Sequence, residues 1–111
     1  MNLKPIRNRN GAIQYYVTEN GKLYDLNNNP VKGYTGKDKR VRYNVTLNAK
    51  PWTATSYRLV AMAFYNDGFS LKGWQDVHHK DLDRTNNHYS NLQIMSKEEH
   101  DRLHAELRRA K

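Results

Sequence analysis

At 111 residues, of which 37% are hydrophobic, the chain can build one compact core but not two. It has no cysteine, which excludes disulfides and thiolate metal sites and leaves His, Asp and Glu as metal ligands. Lys and Arg number 19 against 11 Asp and Glu, a net charge of +8 that favours a polyanionic partner such as nucleic acid.

The charge is uneven. Residues 1–70 carry 11 basic and 4 acidic side chains (+7), whereas residues 71–111 carry 8 and 7 (+1). No stretch approaches the ~18 apolar residues of a membrane span, and the opening MNLKPIRNRNG has no apolar leader region. An intracellular, cytoplasmic protein is therefore expected, with no membrane partner. A core this thin would gain stability from a metal that ties distant segments together.

Residues 1–11 are polar and basic, broken by Pro5 and Gly11, and read as an arm without regular structure. From Ala12 the pattern alternates: Ile13, Tyr15 and Val17 interleave with Gln14, Tyr16 and Thr18, and Asn20-Gly21 suits a two-residue type I′ turn into a return strand over 22–26. Asn27-Asn28-Asn29-Pro30 ends that strand. Beyond a turn region at 33–36 lies the clearest strand, in which Val41, Tyr43, Val45 and Leu47 alternate with Arg40, Arg42, Asn44 and Thr46. One face is apolar. The other is either an ordinary solvated sheet face or, with Lys37 and Lys39 just before it, a face turned to nucleic acid. A turn at 48–51 leads to a short strand at 52–55.

The period then changes. Leu59, Met62 and Ala63 recur at helical spacing over 56–65, with Thr55 or Ser56 as N-cap and Asn66-Asp67-Gly68 as the stop. This is a core helix, and its Met and aromatic residues are packing residues. Most of the eight tyrosines and two tryptophans belong to core and sheet, with Tyr16, Trp52 and Trp74 as candidates for stacking on a base. The pattern is that of an α+β protein with an N-terminal antiparallel sheet and one core helix, and the loosest boundary, at 68–73, divides residues 1–70 from 71–111 within one compact domain.

All five histidines, His78, His79, His88, His100 and His104, fall in the segment 76–104. Val77-His78-His79 is expected to be extended, which puts the two imidazoles on opposite faces with separate tasks. An Asp- and Asn-rich connection over 80–90 precedes a second short strand at 91–95. Ser96 and Glu99 form a capping box, opening a helix to about residue 108 on which His100 and His104, four apart, share a face. A hairpin and helix so equipped can hold one divalent metal. Asp76, Asp81 and Asp83 read as loop and turn carboxylates.

The segment from His78 to His104 resembles the HNH nuclease motif, the ββα-metal fold, in its double histidine, its Asn91-Leu92 at the second strand and its helix histidine. The stretch Tyr57 to Phe64 resembles the RLVA-x-AF helix that precedes the motif in small phage- and intron-associated HNH homing-type endonucleases, and the 15–47 region resembles their N-terminal module. The resemblance implies a phosphodiester hydrolase acting on double-stranded DNA in a bacterial or phage-infected cell. By matched positions, His79 is the general base, Asn91 holds its imidazole, and His78 and His100 are metal ligands. His104 matches an additional ligand present in some members. His88 matches none and reads as a loop residue or a phosphate contact.

The metal would be Mg²⁺, Mn²⁺, Zn²⁺ or Ni²⁺. Lys80 and Arg84 flank the loop and either assist at phosphates or lie on the surface, and with Arg40, Arg42, Asn44, Lys37 and Lys39 they make up the expected DNA surface. Relatives carry further DNA-reading modules after the motif, so specificity here is expected from the basic sheet and arm, from a protein partner, or to be low. The competing reading is a non-catalytic DNA-binding regulatory or packaging accessory protein with a structural metal. An intact His79 and Asn91 speak against it.

Overall fold

The computed structural model describes residues 2–109. The first sheet holds β1 (Leu3–Arg7), β2 (Ile13–Thr18) and β3 (Leu23–Tyr24), antiparallel in that order. The second holds β4 (Tyr34–Thr35), β5 (Val41–Leu47) and β6 (Lys50–Thr55). Helix α1 (Ser56–Tyr65) follows, then the hairpin of β7 (Gln75–His79) and β8 (Leu92–Ser96), and helix α2 (Lys97–Arg109). The α+β class matches the expectation, although the N-terminal sheet is two sheets and β1 and β4 fall in segments read as arm and turn.

Helix α1 is the centre of the molecule. Leu59, Val60, Ala61 and Met62 are fully buried, and the helix packs on β1 and β2, on β5 and β6, and on the β7–β8 hairpin. Truncating Leu59 or Met62 to alanine would cost about 2–5 kcal/mol, because three separate strand systems converge there and cannot collapse into the space. The two candidate caps divide the work differently from the sequence expectation. Thr55 occupies the N-cap position without a side-chain cap bond, while the Ser56 hydroxyl donates instead to the Gly21 carbonyl at 2.7 Å, and Tyr43 donates to the same oxygen at 3.1 Å. Those bonds fasten the β2–β3 turn to α1 and to β5.

That turn is not type I′. Gly21 has φ +92° while Asn20 does not have a positive φ, and Gly21 N–H donates to Thr18 O, the arrangement of a type I turn followed by a glycine bulge. The two-residue I′ conformation occurs at the other hairpin, where Asn48 and Ala49, at φ 55° and 62°, join Leu47 to its partner Lys50. Strand β6 accordingly starts at Lys50, two residues earlier than expected.

The expected N-terminal arm is strand β1, a correction with a clear cause. Ile6 is 1% exposed, Arg7 donates from its N–H to Gly68 O at 2.8 Å and from Nε to Asp67 O at 3.1 Å, and the strand pairs with β2, so one buried apolar residue together with these tertiary bonds orders a segment whose composition reads as loop. Pro5 is tolerated because β1 is an edge strand.

Candidate active site

Strand β7 delivers the double histidine, and alternation along it decides what each ring meets. Asp76 and His78 face α2, whereas Val77 and His79 face α1. Both histidines are buried, at 6% and 7% exposure. Helix α2 is set by the N-cap expected at Ser96, whose hydroxyl accepts from Glu99 N–H at 3.1 Å. Its start is also tied to the foot of β7, since Lys97 N–H donates to Trp74 O. His100 and His104 are thereby carried over His78.

These three imidazoles form one cluster. A nitrogen from each of His78, His100 and His104 lies within 4.8 Å of the others, and the ring centroids stand 5.4 Å (His78 to His100), 5.6 Å (His78 to His104) and 4.5 Å (His100 to His104) apart. His100 Nε2 and His104 Nε2 face each other at 2.9 Å. His78 Nδ1 is buried with no hydrogen-bond partner among the described residues, a costly state for a polar atom unless a ligand supplies the contact. Burial and the neighbouring charges of His100 and His104 push the His78 imidazole below its ordinary pKa, keeping it neutral and able to donate a lone pair. A cluster of nitrogen donors with an orphaned buried nitrogen fits a divalent cation of the borderline class.

The fourth member is a residue the sequence reading set aside as a turn carboxylate. Asp76 Oδ2 lies 2.8 Å from His100 Nδ1, the carboxylate–histidine pairing that fixes a ligand's tautomer and leaves Nε2 for metal. The signal was present in the sequence: Asp76 is two residues before His78 and so shares its face once β7 is extended.

His79 is held separately. Its ring meets the Tyr57 ring edge-on, with centroids 4.6 Å apart, and the Arg40 guanidinium lies over Tyr57 at 5.8 Å. Burial lowers the His79 pKa, opposed by the Asn87 contact and the Asp81 charge and assisted by Arg40 and Arg84. The ring is therefore neutral at neutral pH, the form a base requires.

Asn91 makes no hydrogen bond to His79 among the described residues. The reason is register: His79 pairs with Leu92, so Asn91 lies one residue beyond the ladder and turns into the connection. There its side chain accepts from Asp81 N–H at 3.1 Å and donates to Asp81 Oδ1 at 2.9 Å and Asn86 O at 3.0 Å. Asn91 thus clamps both ends of the 81–86 loop. The side chain that reaches His79 is Asn87, whose Oδ1 lies 3.3 Å from His79 Nε2. Asp83 accepts from Thr85 in a local turn, as read from the sequence.

The two histidine environments open into one cleft of about 400 Å³, lined among others by Arg40, Tyr57, Asp76, Arg84, His100 and His104. Arg84 and Arg40 supply positive charge at its edges. Lys80, Lys37, Lys39 and Asn44 are exposed and lie outside this lining. Arg42 is engaged by Asp38 through a charge-assisted pair, Nη1 to Oδ1 being 3.0 Å. His88 is not among the residues lining the cleft: it caps the turn at Tyr89–Asn91 and reaches Glu19 Oε2 at 3.2 Å, tying the connection to the residue after β2. Trp74 is exposed, whereas Trp52 and Tyr16 are half-buried.

Comparison with known proteins agrees with this geometry. Residues 71–102 match the family model described as HNH endonuclease. Among solved structures the chain is similar to one titled "DNA binding and cleavage by the HNH homing endonuclease I-HmuI", with a TM-score of 0.72 and 24% identity over 99% of this chain, which shows a shared fold. The chain spans 60% of the length of that structure. No curated protein matches significantly.

Proposed function

We propose, from the premise that residues 71–102 belong to the HNH endonuclease family, that the protein is a metal-dependent endonuclease hydrolysing phosphodiester bonds of double-stranded DNA. The observation that carries this reading is the meeting, in one cleft between Arg40 and Arg84, of a three-histidine cluster with a separately held, neutral His79. A purely structural metal would need the cluster but not the fourth imidazole.

In this reading His78, His100 and His104 hold one divalent ion, Mg²⁺, Mn²⁺, Zn²⁺ or Ni²⁺, with Asp76 orienting His100. The bound ion would supply Lewis-acid stabilisation of charge on the scissile phosphate and the leaving oxygen. His79 takes a proton from the attacking water. Tyr57 limits the swing of the His79 ring, and Asn91 keeps the 81–86 loop in place so that the residue after it meets that ring. Arg40 and Arg84 attract and orient the phosphate backbone, with Lys37, Lys39, Arg42, Asn44 and Lys80 extending the contact surface. The solved homing endonuclease binds and cleaves DNA by its title, and the +7 charge of residues 1–70 supports the same polymer as substrate here.

The test is conversion of supercoiled plasmid with added Mg²⁺, Mn²⁺, Zn²⁺ or Ni²⁺, comparing the wild type with His79→Ala. Cleavage by the wild type, reduced at least ~10²-fold in the variant, is expected. Absence of cleavage with every metal, or undiminished activity in His79→Ala, defeats the reading.

A further inference from the structure

A second cavity lies at the other end of strand β5 from the histidines. Arg40, just before that strand, lines the candidate active site, whereas Leu47, its last residue, lines a separate cavity of about 320 Å³. The extended strand puts roughly 20 Å between the two. Apart from Leu71, the lining falls outside the matched residues 71–102. We propose that this cavity is a site for one unpaired nucleotide, with the base stacked on Trp52 and the phosphate held by Arg9, Lys50 and Arg58. Binding here is independent of hydrolysis at the histidines, so the proposal goes beyond the nuclease reading.

Trp52 is half-buried, packed against the core, and lines the cavity beside the buried Leu47 and Leu71. A ring already held by core packing loses little freedom when a base stacks on it. Arg9, Lys50 and Arg58 supply the charge, and none of the lining residues is acidic. None of these three cations forms an ion pair among the described residues, in contrast to Arg40 and Arg42, which are both drawn to Asp38. Asn48 Oδ1 accepts from Arg9 N–H at 2.7 Å, which holds the backbone that carries Arg9 beside the β5–β6 turn.

An aromatic ring beside unpaired cations suits a nucleotide of any sequence, because every base has a π-face and the cations meet phosphate. In a paired duplex those faces are covered by neighbouring bases, so the ligand is a nucleotide out of the stack, free or extruded from a strand. The cavity is at the small end of ligand sites, with room for one such group. An acidic peptide would meet the same cations. However, β6, the strand lining the cavity, is the edge of its sheet, and Pro51 removes an N–H from that edge, which makes it a poor template for main-chain pairing.

The test uses the full chain with a chelator and no added metal, so that no strand is cut. In Trp74→Phe the one remaining tryptophan is Trp52, and its fluorescence reports the site. Deoxyadenosine 5′-monophosphate is expected to quench it saturably, and inorganic phosphate to compete without quenching. Lys50→Gln and Arg58→Gln are each expected to weaken the nucleotide about 3- to 10-fold. Two labelled duplexes of one sequence, one fully paired and one with a single unpaired adenine, separate the two sources. The unpaired base is expected to raise affinity roughly 5- to 100-fold, and Trp52→Ala to erase the difference.

Saturable quenching without a preference between duplexes assigns the cavity to a free nucleotide, and a preference lost in Trp52→Ala assigns it to a DNA strand. If Trp52→Ala does not fold, the response of Lys50→Gln and Arg58→Gln decides instead. Absence of both quenching and preference overturns the proposal, as do effects that Lys50→Gln and Arg58→Gln leave unchanged. Saturable quenching by a short glutamate-rich peptide and not by the nucleotide overturns it in favour of a protein partner. Failure of plasmid cleavage, or full cleavage by His79→Ala, overturns the nuclease reading and leaves this site standing.

Discussion

Asp76 Oδ2 lies 2.8 Å from His100 Nδ1, joining the start of β7 to the first turn of α2 beside the histidine cluster. The contact sets the donor nitrogen of His100, and its loss would free the ring to rotate and to adopt the other tautomer. Asp76→Ala is expected to weaken Ni²⁺ or Mn²⁺ binding about 10- to 100-fold by calorimetric titration, with His78 and His104 intact. Unchanged affinity would show that the carboxylate does not support the ligand.

Metal binding to this cluster should also be visible as stability. A ligand at 100 times its Kd that binds only the folded chain adds about 2.7 kcal/mol, which corresponds to a Tm increase of roughly 10 °C for a domain near 100 residues. Thermal unfolding with saturating Ni²⁺ is expected to show that increase, with a chelator reversing it. His78→Ala removes the most buried ligand and is expected to abolish most of the shift. A full shift in His78→Ala would place the ion elsewhere.

The hairpin between β5 and β6 carries a residue ill suited to its position. Ala49 has φ 62°, a conformation that costs an L-residue about 1–2 kcal/mol and glycine almost nothing. Ala49→Gly is therefore expected to stabilise the protein by up to about 1 kcal/mol, after allowing for the greater freedom of glycine in the unfolded chain. Chemical denaturation checks this, and a lowered midpoint would refute it. Asn48 should stay, because its Oδ1 accepts from Arg9 N–H at 2.7 Å.

This turn also shows what the sequence could and could not disclose. Alternation located β2, β5 and β7, and the helical period with its Ser96 cap located α1 and α2, because those signals are local. The sequence points to a type I′ turn at Asn20-Gly21, the better I′ dipeptide taken alone, yet the Ser56 and Tyr43 hydroxyls both reach Gly21 O and draw that turn onto α1 and β5. Strand β1 was hidden for the same reason, since only its tertiary contacts order it. In the site, the shared face of His100 and His104 was readable from their spacing, whereas the contact of Asn87 was not. Its position against His79 depends on how the Asp81 loop folds back, a geometry that residue order does not encode.

That loop has a predictable response to acid. Hydrogen bonds from Asn86, from Asp83 N–H and from Asn91 hold the Asp81 carboxyl below its usual pKa. A carboxyl with a depressed folded pKa stabilises the fold above its unfolded pKa, near 4, and that contribution disappears as pH falls through the lower folded value. Amide protection in the 81–86 loop, taken relative to the intrinsic exchange rate at each pH, is thus expected to hold at pH 5 and to fall below about pH 4. Asp81→Asn should flatten that dependence. Loop exchange with the same acid dependence in the variant would assign the effect to another group.

On the DNA side, Asp38 is an acidic residue set among Lys37, Lys39, Arg40 and Arg42. Its carboxyl is held well below the ordinary range, chiefly by the Arg42 hydrogen bonds, so it remains charged and occupies a guanidinium that could otherwise meet phosphate. Arg40 Nε, buried without a hydrogen-bond partner among the described residues, lies 3.7 Å from the same carboxylate. If this edge contacts the duplex, removing the carboxylate releases a cation to the polymer, and each additional phosphate contact steepens the dependence of log K on log salt by about 0.9. Asp38→Ala is expected to bind DNA more tightly at low salt with a slope steeper by about one such increment. Arg40→Ala is expected to lose a similar increment. Weaker binding in Asp38→Ala would mean that the pair pre-organises Arg42 for DNA. An unchanged slope in both variants would move the DNA path off this edge altogether.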